Sequence, residues 1–248
     1  MQSSPMDAAD ALLTARRTGT RLTALPDAPA TVEAAVVIQR RVQHALGPIG
    51  GWKVGSPSPD GPITCSPLPK SSIGDGAPRH GYIEAEIAVV LGQNLPARNE
   101  PYTEAEVRAA IASAHPAIEV LDSRFAADPD ALSGLADASG HAGLVLGPAI
   151  EDWAAVDTAH ERVEVVVGGS VVKHGHGNPG GPMLRLLLWM ANTGARWDGG
   201  LRAGQVVTTG SWTGKDRVRP GEVAMVTFAR GGTASLTPPQ PLPDAPPD

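Results

Sequence analysis

Two glutamates, Glu84 and Glu86, stand one residue apart inside the apolar run GYIEAEIAVVLG at residues 81–92. A third, Glu119, interrupts a second such run, HPAIEVLDS. Carboxylates taken out of water lose favourable hydration, and neighbours of like charge repel. Such a group needs compensation from protons, basic partners or a cation. Three carboxylates from two core-like strands suit a hard cation, because oxygen ligands favour Mg²⁺, Mn²⁺ or Ca²⁺. Bound to an octahedral ion, they leave positions open for water or substrate, the arrangement of a catalytic rather than a closed structural site. An E-x-E pair alone more often marks a solvated strand face, so Glu119 carries much of the argument. The pair His174 and His176 in VVKHGHG has a transition-metal pattern, but no Cys or third His flanks it. Its default reading is surface histidines.

The elements that must position the acids follow from periodicity. Side chains alternate across a strand, so Glu84 and Glu86 share a face with Ala88 and Val90, while Ile83, Ala85, Ile87 and Val89 line the other. Both faces become apolar next to the acids, which predicts a largely buried strand. PAIEVLDSRF and AGLVLGPAI read as further strands. ERVEVVVGGSVVKHGHG reads as a hairpin turning at Gly168-Gly169. AGQVVTTG and EVAMVTFARGGTASLT read as closing strands, the latter a hairpin about Gly231-Gly232. Helices are predicted for MDAADALLTARRTG, ending near Gly19, and for TVEAAVVIQRRVQHALG, capped by Thr31 with Val36, Val37, Val42 and Leu46 on its apolar stripe. TEAEVRAAIASA, capped by Thr103, and PMLRLLLWMANTGARWDGG, stopping at Gly199-Gly200, complete the set. Strands outnumber helices and do not alternate regularly with them, which argues against a doubly wound sheet. The expected class is α+β. Residues 1–49 form an N-terminal helical segment, 50–237 a catalytic β domain, and 238–248 a Pro-rich tail expected to be disordered.

The 248 residues fit one large domain, or a main domain with a small extension, and 42% hydrophobic content supports a sizeable core. A net charge of −6 without a basic block argues against a nucleic-acid partner. The single cysteine, Cys65, excludes an internal disulfide and suits a reducing compartment. No run approaches a membrane span of about 18 apolar residues, and the N-terminus lacks a secretory core. The expectation is a soluble cytoplasmic protein.

Several segments, taken in order, resemble the fumarylacetoacetate hydrolase superfamily. They are GWKVGS, YIEAEIAVVLG, PAIEVLDSR, LADASGHAGLVLG, LLLWMANTGARWDGGLRAGQVVTTGSWTG and VRPGEVAMVTF, spread over roughly residues 31–235. The resemblance is strongest to the 2-keto-4-pentenoate hydratase and 4-oxalocrotonate decarboxylase branch. It implies a mixed β-sandwich roll preceded by helices. It implies that Glu84, Glu86 and Glu119, the last lying 33 residues beyond Glu86, bind Mg²⁺ or Mn²⁺. It also places Lys53 of GWKVGS in the active site, although a lysine between Trp52 and Val54 could equally snorkel to solvent. Ser139 of LADASG falls near the expected substrate carboxylate, with a turn serine as the competing reading. The family's Asp-Asn-Ala-Ser pattern lacks its Asn here, so Asp137 is set aside. The loop after Lys53, DGPITCSPLPKSSIGDG, departs from the hydratases, and Asp75 could replace a loop acid there. GNPGGP also departs from their usual text.

The resemblance implies a metal-dependent hydratase adding water to a 2-hydroxy-2,4-dienoate, a small 2-oxo acid substrate of aromatic-compound catabolism. The ion stabilises the enolate, and Lys53 orients the dienol or shuttles a proton. The alternatives are a decarboxylase of the 4-oxalocrotonate type, a fumarylpyruvate-type C–C hydrolase and a non-catalytic metal-binding homologue. The hydrolase needs a Glu–His dyad, for which His44 is the only early candidate. The resemblance further implies a homo-oligomer.

Overall fold

Asp7 accepts a hydrogen bond from the Asp10 N–H and caps helix α1, Ala8–Thr18, which closes on Gly19 in the left-handed conformation at φ 72°. Helix α2, Val32–Leu46, starts at Thr31, whose hydroxyl accepts from the Ala34 N–H; this is the cap that the sequence predicts. Its buried face is Ala35, Gln39, Val42 and Gln43. Val37 was expected on the apolar stripe but is 63% exposed, because it lies opposite the face on which 35, 39 and 42 recur. The computed structural model describes residues 7–74 and 81–237. Asp75 and the Pro-rich tail lie outside the described residues.

The remaining elements follow in chain order. They are β1 Ile49–Gly55, β2 Thr64–Pro69, β3 Gly81–Leu91, β4 Leu95–Pro96, α3 Glu104–Ala109, β5 Ile111–Leu121, α4 Ala131–Ala136, β6 His141–Leu146, β7 Arg162–Val167 and β8 Ser170–His176. Then come α5 Met183–Trp189, β9 Gly200–Leu201, β10 Val206–Thr208, β11 Asp216–Val218, β12 Ala224–Phe228 and β13 Gly232–Leu236. The segment expected to continue α5 to Gly199 is instead divided. After Trp189 it widens into a π turn over Met190–Gly194, then tightens into a 3-10 turn over Arg196–Asp198. Asn192 clasps a neighbouring loop at this bulge, accepting from the Tyr102 N–H and donating to the Tyr102 carbonyl. Helix α3 is also shorter than the sequence predicts, because Ile111 already belongs to β5.

Seven strands form the larger sheet, in the order β2-β1-β10-β3-β5-β6, with β11 also pairing with β3. Only the β1–β10 pair is parallel. A second, antiparallel sheet runs β13-β12-β7-β8, and its β12 and β13 pack against β5. The β7–β8 turn is Gly168-Gly169, both at positive φ (58° and 81°), as a two-residue type I′ hairpin requires. This mixed sheet with accessory helices is the α+β class read from the sequence and the roll that the resemblance implies.

Strand β3 divides its side chains as alternation predicts. Ile83, Ala85, Ile87 and Val89 enter the main core with Trp52, Ile118 and Phe228. On the other face, beyond the two acids, Ala88 and Val90 join Leu68, Ala117, Leu144 and Val206 in a smaller apolar cluster. Helices α1, α2 and α4 share their own cluster with Leu25 and Phe125. They are tied to the sheet by Gln39, whose side-chain amide donates to Ser66 Oγ on β2 and to the Leu135 carbonyl, each at 2.8 Å. Among the described residues, no helix is long and apolar enough to cross a membrane.

Candidate metal centre and active site

Antiparallel register sets Glu84 of β3 directly opposite Glu119 of β5. Like charges so placed weaken a strand pair, so something else must hold them there. One ligand oxygen from each of Glu84, Glu86 and Glu119 lies within 4.8 Å of the others. Glu86 and Glu119 are almost wholly buried, at 1% and 0% exposure, and Glu84 is half-buried.

The compensation is divided among the three acids. Lys53 on β1 donates from Nζ to Glu119 Oε1 at 2.8 Å. His141, at the head of β6, brings Nδ1 to the same oxygen, also at 2.8 Å. Burial alone would raise the Glu119 pKa, but Lys53 and His141 outweigh it and hold the carboxyl down at about 2. Glu86 accepts from the Thr208 hydroxyl and from the Gly210 N–H on one oxygen, Oε2. Even so, burial, followed by the charges of Glu119 and Glu84, pushes Glu86 well above the ordinary carboxylate range. Burial and Glu119 also raise Glu84, against the pull of Lys53 and Lys215. Burial works against the charge on Lys53, yet the three carboxylates overcome it and its pKa is raised.

Ser139 reaches the same place by an unusual backbone. Ala138, Ser139 and Gly140 all have positive φ, at 52°, 50° and 79°, a conformation that costs about 1–2 kcal/mol for each residue with a Cβ. The turn is anchored by Asp137, set aside at the sequence level. Its buried carboxylate accepts from the Arg124 N–H at 3.0 Å and from Arg124 Nε at 2.5 Å. Ser139 then borders a cavity of about 200 Å³ with Lys53, Glu84, Glu86, Ser66 and Ser211. It also borders an adjoining cleft of about 770 Å³, on whose lining stand Tyr82, Lys215 and Arg217. A third cavity of about 690 Å³, beside α5, is lined by residues such as Trp153, Leu184 and Leu188 and contains none of the three acids.

Other sequence candidates lie elsewhere. His174 is 3.8 Å from Glu164, and its side chain is 73% exposed. The His176 ring stands edge-on to His160, 6.0 Å away. Among the described residues, the three glutamates are the only group of this kind that converges. His44 is exposed in the last turn of α2. His141, Thr208 and Arg124 were not singled out from the sequence. The available signal was a polar side chain at the edge of an apolar run, in GHAGLVLG and in QVVTTG.

The cluster fits a divalent cation. Glu119 Oε2 is buried and has no hydrogen-bond partner among the described residues, the state of a ligand atom rather than of a satisfied core acid. Neighbouring oxygens on one magnesium ion stand about 3 Å apart, and the three carboxylates, each offering an oxygen within 4.8 Å of the others, would draw together onto a shared ion. An all-oxygen donor set selects a hard ion.

Residues 52–237 match the fumarylacetoacetate (FAA) hydrolase C-terminal family. The chain is 32% identical over 156 residues to 2-keto-4-pentenoate hydratase 2 of Dechloromonas aromatica, covering 62% of this chain and 58% of that protein. It is 33% identical over 178 residues to 2-keto-4-pentenoate hydratase of Burkholderia vietnamiensis, covering 65% and 67%. The matches thus span about three fifths to two thirds of these relatives' lengths. Among solved structures, 4-oxalocrotonate decarboxylase from Pseudomonas putida G7 superposes with a TM-score of 0.71 at 23% identity, covering 92% of this chain and 94% of that one. That protein has been solved with calcium and acetate and with magnesium and adipate. At this identity the likeness concerns the fold.

Proposed function

This chain belongs to the fumarylacetoacetate hydrolase C-terminal family, and on that premise we propose that it is a divalent-metal-dependent hydro-lyase adding water to a 2-hydroxy-2,4-dienoate. The observation that carries the reading is the buried Glu84–Glu86–Glu119 cluster with Lys53 turned into it. The names of the curated relatives support the choice of hydration.

In this proposal Glu84, Glu86 and Glu119 hold Mg²⁺ or Mn²⁺, and the ion supplies positive charge for the negative charge that develops on a 2-oxo acid as it enolises. Lys53 is bonded to Glu119 at 2.8 Å, and in the metal-free site the three acids raise its pKa. In this proposal it acts on substrate as a hydrogen-bond donor and proton source. Ser139 orients the substrate at the junction between the small cavity and the larger cleft. The catalytic unit is residues 50–237, and residues 1–49 buttress it through contacts such as Gln39 to Ser66. The enzyme acts as a cytoplasmic homo-oligomer.

One observation favours a second reading, a 2-oxo acid decarboxylase. Lys215 and Arg217 line the cleft that adjoins the metal site, beside Asp122 and Asp128, with Lys215 3.5 Å from Asp128, and a second carboxylate at the far end of a substrate would meet cations there. A single assay separates the two. Purified protein is given 2-hydroxydienoates with and without a distal carboxylate, and both dienol absorbance and CO₂ release are followed with Mn²⁺ and with EDTA. Metal-dependent loss of absorbance without CO₂ is the expected result. CO₂ release from the diacid alone selects the decarboxylase, and no turnover across the panel overturns both readings.

A further inference from the structure

The geometry points to His141 as a positioning residue of the metal centre, one that fixes how Glu119 presents its carboxylate; the inference rests on Glu119 being a ligand. An ionised carboxylate only accepts hydrogen bonds. His141 Nδ1, 2.8 Å from Glu119 Oε1, is therefore the donor, and this sets the ring's tautomer. Lys53 bonds the same oxygen. With Oε1 held twice, Oε2 is the buried atom left without a partner among the described residues. The plane of the carboxylate is thereby turned, with one oxygen tied back and the other offered.

Lys53 alone could not set this plane firmly. Its ammonium is a point charge on a flexible stem, and it is shared with Glu84 and Glu86. His141 is rigid by contrast. The Ser72 hydroxyl lies 2.9 Å from Nε2, which in this tautomer accepts, and its single proton is shared between Nε2 and the Pro69 carbonyl at 2.8 Å. The main chain of His141 is clamped from the helical layer, where Arg16 of α1 donates to its carbonyl at 3.2 Å. At 1% exposure, His141 touches Glu119 and does not line the small cavity that the acids border. Partners that orient ligands in this way typically change metal affinity about 10–100-fold when removed.

The test is calorimetric titration of the full chain with Mn²⁺, alongside the thermal midpoint measured in EDTA. H141A should weaken Mn²⁺ binding about tenfold or more. H141N, whose amide nitrogen can take the place of Nδ1, should recover most of the affinity, and H141Q, whose amide falls nearer Nε2, should not. Should H141A fail to fold, the Asn and Gln variants carry the comparison. Wild-type affinity in H141Q, or equal affinities in H141N and H141Q, overturns the role. A midpoint lowered with affinity unchanged marks His141 as purely structural and also overturns it. E86Q separates this inference from its premise. If E86Q binds Mn²⁺ like the wild type, or the wild type binds none, the ligand set fails and the role of His141 with it. If E86Q loses the metal while the His141 variants keep it, only the inference falls.

Discussion

Lys53 and Glu119 meet at 2.8 Å although two strands, β10 and β3, lie between theirs in the sheet. At about 4.8 Å per strand, three steps across a flat sheet would part their backbones by about 14 Å. A lysine and a glutamate can cover that distance only when both side chains reach toward each other, so the contact lies over the face of β10 and β3 that carries Glu84 and Glu86.

Among the described residues, removing the lysine leaves the buried Glu119 carboxylate with His141 as its remaining hydrogen-bond donor and two other acids nearby. Lys53→Met is expected to lower stability toward the lower end of the about 3–5 kcal/mol typical of breaking a buried pair, read by urea unfolding in EDTA. Mn²⁺ should recover part of the loss, because the ion replaces the missing charge. Turnover should disappear even when metal is bound. A variant with full stability and activity would remove Lys53 from the site.

Metal affinity should climb as pH rises from acid toward neutral. Glu84 and Glu86 have folded-state pKa values above their ordinary value. Their protonated forms favour the metal-free fold at low pH, and that contribution is lost as pH rises through the raised values. A cation must displace those protons, so its stabilising effect grows over the same window. Glu119, held at about 2, is ionised throughout and adds no slope. The measurement is the difference in thermal midpoint between saturating Mn²⁺ and EDTA across pH. A difference that stays flat would show that Glu84 and Glu86 do not exchange protons for metal.

Ser139 sits in backbone space that suits glycine. Ser139→Gly should relieve about 1–2 kcal/mol of strain and give back about 0.5–1 kcal/mol through the freer unfolded chain, leaving stability unchanged or slightly higher. Loss of the hydroxyl should raise KM for the dienoate. If KM is unmoved, Ser139 is only a turn residue.

Gly51 has no room for a side chain. A Cβ there would lie 2.4 Å from the Val206 carbonyl oxygen on β10. Gly51→Ala should force apart the parallel pair that aligns Lys53 with Thr208 and cost about 1–3 kcal/mol, as overpacking does. Chemical denaturation measures the loss, and Mn²⁺ binding should weaken with it. Unaltered stability would show that β1 and β10 can separate without penalty.

Much of this was legible in the chain itself. Alternation alone assigned Glu84 and Glu86 to one face of β3 and Ile83 to Val89 to the other. The helix caps at Thr31 and Thr103 and the turn at Gly168-Gly169 are local devices, and local sequence sufficed to place them. The π bulge after Trp189 was not legible, because it depends on Asn192 reaching Tyr102 ninety residues away.

The residues by themselves determined that three acids lie in strands built for burial, and that something has to offset their charge. Only the tertiary structure decided how that task is divided. It assigns Lys53 and His141 to one oxygen of Glu119, Thr208 and Gly210 to one oxygen of Glu86, and leaves Glu119 Oε2 unpartnered among the described residues. The reason is range: alternation acts between neighbours in sequence, whereas these contacts join residues from 22 to 124 positions apart, and their geometry exists only once the strands have paired in this order.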